Sequence, residues 1–500
     1  MAVLLVLAGL IRAVGLGDRP LWLDEAFSLL YARIDLHTLI ELRHRGTNPP
    51  LYHLILSWWA SLFGASDVAL RSLSVLAGVG SVAATYALGR SMAGRGVGAI
   101  ASGMLTINSM ATGYSQEARY YALIELLAIG GALLLRQLVV SRRRRWVIGY
   151  TVLMSVFVWT HTFAWFVLAA HVVAVVGYTA FGSGSSRARR AVDIRFGITV
   201  AIVCASFMPW AGVLGAQVET VLTRYWIPEP EAWMIPATLH GFIAPLVETR
   251  WWFVVLCLVL VIALAGRSFR QRPSQSPRDM ERGSINIFDV LLLSSWAFLP
   301  IIIPLVWSCV STPIFQVKYT LAAQPAWLLL LALLIRRRPA VGLAIVAFGA
   351  AVHAPAPHRG LQLEDWRTAA AIVDENVEPG TPVYICQDYT YYALAAYLDE
   401  ETYQITPVIK QGSVASEFAE IYPQPPLEYD DWLRQLQTNV DVAAVVLSRL
   451  HSGPNETEFR KVIDDLAAIG YVRPFDVEGD VDVVLWRRVD PPAEQDQASD

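Results

Sequence analysis

Asp24 and Glu25 stand side by side in "LWLDEAFS", and Glu117, Arg119 and Tyr120 are close neighbours in "YSQEARYYAL". His161 lies in "WTHTFAW", and Lys318 and Tyr319 in "TPIFQVKYTLAAQP". Carboxylates can take a proton from a hydroxyl, and an Arg with a Lys can hold an oxyanion as it departs. Together these residue types suit a displacement in which a nucleophile is deprotonated and a phosphate leaves. Each stretch also has a plainer reading. An acidic pair just past an apolar segment can be an interfacial turn, Arg119 can snorkel beside Glu117, and a lone His is often a hydrogen-bonded structural residue. The choice turns on whether the chain brings the four stretches to one place.

The elements that would do so are membrane spans. The 500 residues are 55% hydrophobic and only 16% charged, outside the range of a soluble globular protein of this size. A net charge of −4, with basic residues in short clusters between apolar runs, argues against nucleic acid as a partner. Four cysteines, three in or beside apolar runs, suggest neither a disulfide framework nor a metal cluster. Hydropathy over windows of about 20 residues predicts about eleven spans, at roughly 2–17, 68–89, 96–113, 120–140, 146–161, 163–182, 196–213, 251–267, 288–309, 319–335 and 339–354.

Orientation follows from the basic clusters. Arg90/Arg95, Arg142 to Arg145, Arg187/Arg189/Arg190, the group from Arg267 to Arg282, and Arg336 to Arg338 fall on alternate loops, which predicts that they share the cytoplasmic side. The opposite face then carries the loop 18–67, the turn near 114–119, the loop 214–250, the turn near 310–318 and everything after about 355. All four chemical stretches are thereby expected at the outer leaflet, where a lipid phosphate is the natural anion. Within the loop 18–67, "LHTLIELRH" and "PLYHLILSWWASLF" have the apolar spacing of interfacial helices. On a continuous helix through "YSQEARYYAL", Gln116, Arg119 and Tyr120 would share one face and Glu117 and Tyr121 the next.

Beyond residue 355 the pattern changes. Helix-like runs ("EDWRTAAAIVDENV", "YDDWLRQLQTN", "NETEFRKVIDDLAAIG") alternate with strand-like ones ("TPVYIC", "VDVAAVVLS", "VDVVLWRRV"). That predicts an extracytoplasmic α/β domain over 355–488, without a Gly-rich phosphate loop, followed by a polar tail at 489–500. The fold class expected is a polytopic α-helical membrane protein, its membrane module at 1–354, with this C-terminal domain. Asn455 begins an N-x-T sequon.

The stretches "LWLDEAFS", "NPPLYHLIL", "YSQEARYYAL", "THTFAW" and "VKYTLAAQP", in this order and spacing, resemble the GT-C glycosyltransferases. More narrowly, over about residues 1–350, they resemble the family 39 group of protein O-mannosyltransferases and aminoarabinose transferases that use polyprenyl-phosphate sugars. The resemblance implies an essential Asp in the first external loop, at Asp24, with Glu25 as its neighbour. It also implies that Glu117 and Arg119, with Tyr120 and His161, lie near the sugar and phosphate. Two departures stand out. Lys318-Tyr319 replaces the usual Arg-Tyr, keeping the charge but losing bidentate phosphate binding, and Asn48-Pro49-Pro50 replaces His-Pro-Pro, removing any proton role for that His.

The reaction so implied is a single inverting displacement. Asp24 takes the proton of an acceptor hydroxyl that attacks the anomeric carbon, and the polyprenyl phosphate departs against Arg119 and Lys318. The lipid-linked sugar, mannose as the family-level implication, is the donor; the acceptor is a glycan, lipid or protein. No cofactor is obligatory, and a divalent metal is compatible but not required. A lipid-linked glycan ligase or polymerase is the nearest alternative. A secondary transporter is another, although it should show internal repeats and charges near the midplane.

Overall fold

The computed structural model describes residues 1–34, 48–181, 186–224, 227, 229–243, 285–336, 365–386, 388–399, 401–409, 424–439, 442–448, 457–469, 471–477 and 481–488. The expected spans at 251–267 and 339–354, the run "LHTLIELRH", Asn455 and the tail at 489–500 lie outside these residues. The chain divides into two compact units, one of Met1–Leu16 and Ile34–His358, the other of Gly17–Arg33 and Arg359–Asp500.

In chain order the first helices are α1 (Ala2–Ala13), α2 (Leu23–Arg33), α3 (Leu51–Phe63), α4 (Asp67–Ala93), α5 (Arg95–Ile107), α6 (Ser109–Ser115) and α7 (Tyr121–Ser141). There follow α8 (Arg144–Thr160), α9 (Ala164–Phe181), α10 (Ser186–Phe207), α11 (Ala211–Arg224), α12 (Met234–Ile243), α13 (Ile287–Val310) and α14 (Gln324–Ile335). Tighter 3₁₀ stretches at Met208–Trp210 and Val317–Ala323 lead into α11 and α14. All of these except α2 belong to the first unit.

Among the described residues, six stretches are long and apolar enough to cross a bilayer: Asp67–Ala93, Tyr121–Ser141, Ala164–Phe181, Arg190–Gly215, Ile287–Val310 and Val317–Ile335. The chain is therefore a polytopic helical membrane protein. The first expected span is shorter in the structure, because the 12 residues of α1 extend about 18 Å against a hydrocarbon core of about 30 Å.

The span expected at 96–113 is divided. α5 stops at Ile107, and Asn108 Oδ1 accepts the Ala111 N–H at 2.8 Å, capping α6. Asn108 Nδ2 donates to the carbonyls of Gly241 (3.0 Å) and Phe242 (3.1 Å), and Gln324 Nε2 donates back to Asn108 Oδ1 at 2.9 Å. Backbone groups freed among apolar segments must be satisfied by protein, and these two amides do so for the first turn of α6 and the last carbonyls of α12.

Three buried charges hold the unit together. Arg12, inside α1, donates from Nη1 to the Thr106 carbonyl, from Nη2 to the Leu105 carbonyl and from Nε to Ser115 Oγ, each at 3.2 Å. Leu105 and Thr106 end α5, so the guanidinium sits on the negative end of that helix dipole, which explains a charge in an apolar segment. The approach needs Gly78: a Cβ there would stand 2.2 Å from Ser115 Oγ and 2.8 Å from Arg12 Nε. Arg136 of α7 pairs with Asp289 of α13 at 2.7 Å, both fully or nearly buried. Asp289 also closes a capping box with Asn286.

The second unit is built on a five-stranded sheet. Its strands are β1 (Val383–Cys386), β2 (Ile405–Val408), β3 (Val442–Ser448), β4 (Tyr471–Val477) and β5 (Val481–Arg488), in the order β2-β1-β3-β5-β4. β1 runs parallel to β2 and β3, whereas β5 pairs antiparallel with β3 and β4. All four residues of β1 are buried, as a central parallel strand requires. One core gathers around Trp366, Val373, Ile385, Tyr391 and Tyr392, and a second around Tyr384, Trp432 and Leu436. Leu23, Ala26, Phe27 and Leu30 of α2 pack into the first core. Their spacing of three, four and seven is one face of a helix, so the apolar stripe of α2 is spent on this sheet unit.

Candidate functional site

The segment from Tyr114 to Tyr121 is not one helix. α6 ends at Ser115, α7 begins at Tyr121, and residues 116–120 form a turn between them. The cause is competition from polar partners: Gln116 Nε2 donates to the carbonyls of Arg12 (3.1 Å) and Val14 (2.9 Å), and Ser74 Oγ donates to the Arg119 carbonyl (3.2 Å). The two helical faces expected there are replaced by a pinned turn in which Glu117 and Tyr120 are buried.

Around this turn the first unit assembles a cage of rings. Tyr120 lies 4.5 Å from the His161 ring, 4.7 Å from Tyr121 and 5.8 Å from Tyr52, centroid to centroid. Tyr319 lies 5.5 Å from His161 and 6.3 Å from Tyr121. Arg119 places its guanidinium carbon 4.8 Å from the Tyr120 centroid, and Lys318 Nζ is 5.9 Å from the Tyr121 ring and 5.8 Å from its own neighbour Tyr319. Two cations thus stand against one set of aromatic faces, where each is stabilised by the ring quadrupole. Arg119, Tyr120, His161, Lys318 and Tyr319 are brought together from three segments, with Glu117 in the same turn.

His161 follows α8 and opens the turn before α9. Its Nδ1 accepts the Phe163 N–H at 3.0 Å. Burial first, and then the charge of Arg119, push its pKa down to about 3, so the ring is neutral near pH 7. The positive charge of the cage is therefore supplied by Arg119 and Lys318. Asn48, at the position where the resemblance expects a His, bridges Tyr120 and Thr162: its Nδ2 donates to Tyr120 Oη at 3.3 Å and its Oδ1 accepts from Thr162 Oγ1 at 3.3 Å.

Asp24 and Glu25 belong to the second unit. They occupy the first turn of α2, where carboxylates are favoured by the helix dipole. The two differ in kind. Glu25 is fully buried, and its Oε2 accepts the Trp22 N–H at 3.4 Å, the return half of a capping box. Asp24 is partly exposed, one residue off the stripe that packs into the sheet unit, and its carbonyl accepts Ser28 Oγ at 3.1 Å.

An apolar cleft of about 240 Å³ lies between α3 and α8, lined by Pro50, Leu51, Leu54, Ser155, Val156 and Trp159. Pro50 and Trp159 are each two residues from members of the cage, Asn48 and His161. Among the described residues, no group of three His, Cys, Asp or Glu is placed to hold a metal ion. Sequence reasoning passed over Tyr52, Tyr121 and Ser74 as site members. An aromatic in an apolar run carries no signal of its own, and only contact identifies it.

No protein-family model matches the chain, and no curated protein sequence matches it. Solved structures do. ArnT from Cupriavidus metallidurans in the apo state superposes with a TM-score of 0.62 at 15% identity, over 97% of each chain. The same protein bound to undecaprenyl phosphate gives 0.62 at 14%, again over 97% of each. The archaeal oligosaccharyltransferase AglB from Archaeoglobus fulgidus, in complex with an inhibitory peptide and a dolichol-phosphate, gives 0.50 at 14%, over 89% of this chain and 69% of that one. The architecture is accordingly of the GT-C type.

Proposed function

We propose that the chain is a membrane glycosyltransferase that moves a sugar from a polyprenyl-phosphate donor to an acceptor hydroxyl by inverting displacement. The observation that carries this reading is the pairing of Arg119 and Lys318 on one buried aromatic cage within a fold of this type. Two cations against the rings of one cage answer a phosphate that gains charge as its bond to carbon breaks. Structures of ArnT with undecaprenyl phosphate and of AglB with a dolichol-phosphate support a lipid phosphate as the anion. The apolar cleft beside Asn48 and His161 suits the chain of such a lipid.

Asp24 is the proposed base. It accepts the proton of the acceptor hydroxyl, the oxygen attacks the anomeric carbon, and the electron pair of the breaking carbon–oxygen bond leaves on the polyprenyl phosphate. Tyr319, Tyr120 and His161 line the donor's polar end, and Glu117 is placed to meet the sugar. The test is incubation of the purified protein with a panel of polyprenyl-phosphate sugars and acceptor fractions, read by mass spectrometry. Consumption of one donor, with inversion at its anomeric carbon, is expected. Consumption only of lipid-linked oligosaccharides would favour a glycan ligase, and no consumption of any lipid-linked sugar would refute the proposal.

The reaction is placed on the extracytoplasmic side, with residues 18–67 and 355–488 exposed there, because the Arg clusters alternate with these segments. In a cysteine-free background, single cysteines replacing exposed Arg33 and Asn376 should react with an impermeant reagent in intact cells, and one replacing exposed Arg144 only after lysis. The reverse pattern would invert the assignment.

A further inference from the structure

The hydrogen bonds around Tyr120 fix where its hydroxyl proton can go. Asn48 faces Tyr120 and Thr162, and the second settles its amide: the Thr162 backbone N–H, 3.5 Å from the Asn48 oxygen, can only donate. Oδ1 therefore faces Thr162, and the Nδ2 donor faces Tyr120 Oη at 3.3 Å. Arg119 Nη2, 3.2 Å from the same oxygen, also can only donate. Both lone-pair directions of Tyr120 Oη are thus taken by donors. Its own O–H points elsewhere, and no acceptor for it lies among the described residues.

A second donor beside it is in the same condition. With His161 Nδ1 accepting from Phe163, the neutral ring carries its proton on Nε2. That nitrogen is buried and has no hydrogen-bond partner among the described residues. Tyr120 is 2% exposed and His161 1%, so water does not cover either group freely, and their rings are 4.5 Å apart. Two buried donors that both lack an acceptor, next to Arg119 and Lys318, describe a socket for an oxyanion.

We propose that Asn48 is a positioning residue that turns the Tyr120 O–H outward, so that it and His161 Nε2–H form a pair of neutral donors to the phosphate of the donor lipid; this rests on the function proposed above. An Asn does here what an ionisable His could not do at every pH. Its amide always presents a donor to Tyr120 and an acceptor to Thr162, and the orientation of the hydroxyl is therefore insensitive to proton supply.

The experiment compares undecaprenyl phosphate with undecaprenol, binding each to the full chain in nanodiscs. Tyr120→Phe keeps the ring stack and removes the donor. It should weaken undecaprenyl phosphate about tenfold, as expected for a hydrogen bond to a charged group, and leave undecaprenol unchanged. Asn48→Asp replaces the donor facing Tyr120 by an acceptor, which would draw the hydroxyl proton inward. It should cost at least as much on its own, and much less when Tyr120→Phe is already present. Simple repulsion between the new carboxylate and the phosphate would instead persist in full in the double variant.

Wild-type-like phosphate binding by Tyr120→Phe would overturn the inference, as would losses that multiply in the double variant. A wild-type chain that binds no undecaprenyl phosphate would refute the proposed function instead. The donor pair would then be judged on inorganic phosphate, where Tyr120→Phe must show the same loss or the inference falls. Should Tyr120→Phe fold poorly by thermal melting, Asn48→Ala decides, since it removes the donor facing Tyr120 without adding a charge and leaves every ring in place; wild-type-like phosphate binding by that variant would overturn the inference.

Discussion

Asp24→Asn is expected to lower transfer about a thousandfold, within the range usual for loss of a general base, while donor binding stays at its wild-type level. The amide has the shape of the carboxylate but cannot take a proton at neutral pH. Asp24 is suited to such a substitution because it is partly exposed and lies off the stripe of Leu23, Ala26, Phe27 and Leu30 that packs into the sheet unit. What the fold loses is the favourable meeting of a carboxylate with the first turn of a helix, about 0.3–1 kcal/mol. Glu25→Gln supplies the contrast. Glu25 is buried and accepts the Trp22 N–H, a bond that a Gln carbonyl can also accept, so its activity should stay within several-fold of wild type. Single-turnover rates and donor affinity, measured on both variants, separate the two roles. Near-normal turnover in Asp24→Asn would remove it from the base role, and an equal collapse in Glu25→Gln would show that the helix start, rather than one carboxylate, is what activity needs.

Arg119→Ala is expected to reduce donor turnover about a hundredfold, the scale of losing one charge-assisted contact to a developing oxyanion. Lys318→Ala should cost somewhat less, since a single ammonium offers no bidentate fork, and Lys318→Arg should retain activity. Arg119 has two further duties that Lys318 lacks: its Nη2 donates to Tyr120 Oη at 3.2 Å, and its charge helps to keep His161 neutral. The loss should therefore appear in both donor affinity and rate for Arg119→Ala, but mainly in affinity for Lys318→Ala. Titration of donor consumption against lipid concentration reads the two parameters separately. Normal affinity and rate in both alanine variants would show that the phosphate lies elsewhere.

Several features were legible from residue type and order. Apolar runs of about 20 residues can be satisfied in lipid only as helices, so the long spans over Asp67–Ala93, Tyr121–Ser141 and Ile287–Val310 follow from hydropathy. Strand-like runs such as "TPVYIC" likewise enclose a real strand, Val383–Cys386, because a short β-branched segment with a turn on either side has few other uses. The local placement of Arg119 beside Tyr120 needed no structure either.

The breaks were not legible. Asn108 divides a run that hydropathy reads as continuous, because its amide caps α6 and also reaches carbonyls more than 80 residues away, and Gln116 ends a helix that spacing would prolong, because its amide reaches carbonyls likewise remote in sequence. Arg12 and the pair Arg136 and Asp289 raise the same difficulty: a charge in an apolar segment signals a partner without naming it, and here one partner is the end of another helix and the other is a carboxylate 153 positions distant.

The sequence by itself determined a membrane protein of many helices, a supply of acid, base and cationic groups, and the order in which they occur, since these depend on composition and on contacts a few residues long. Tertiary structure alone decided which groups meet. It joined Tyr120 to Asn48 and to His161 and drew Lys318 to Tyr121. It also gave the helix of Asp24 to the sheet unit by burying its apolar stripe against Trp366 and Tyr392. Such meetings are set by the free energy of burying apolar faces and satisfying polar atoms across the whole chain, and no local pattern carries that information.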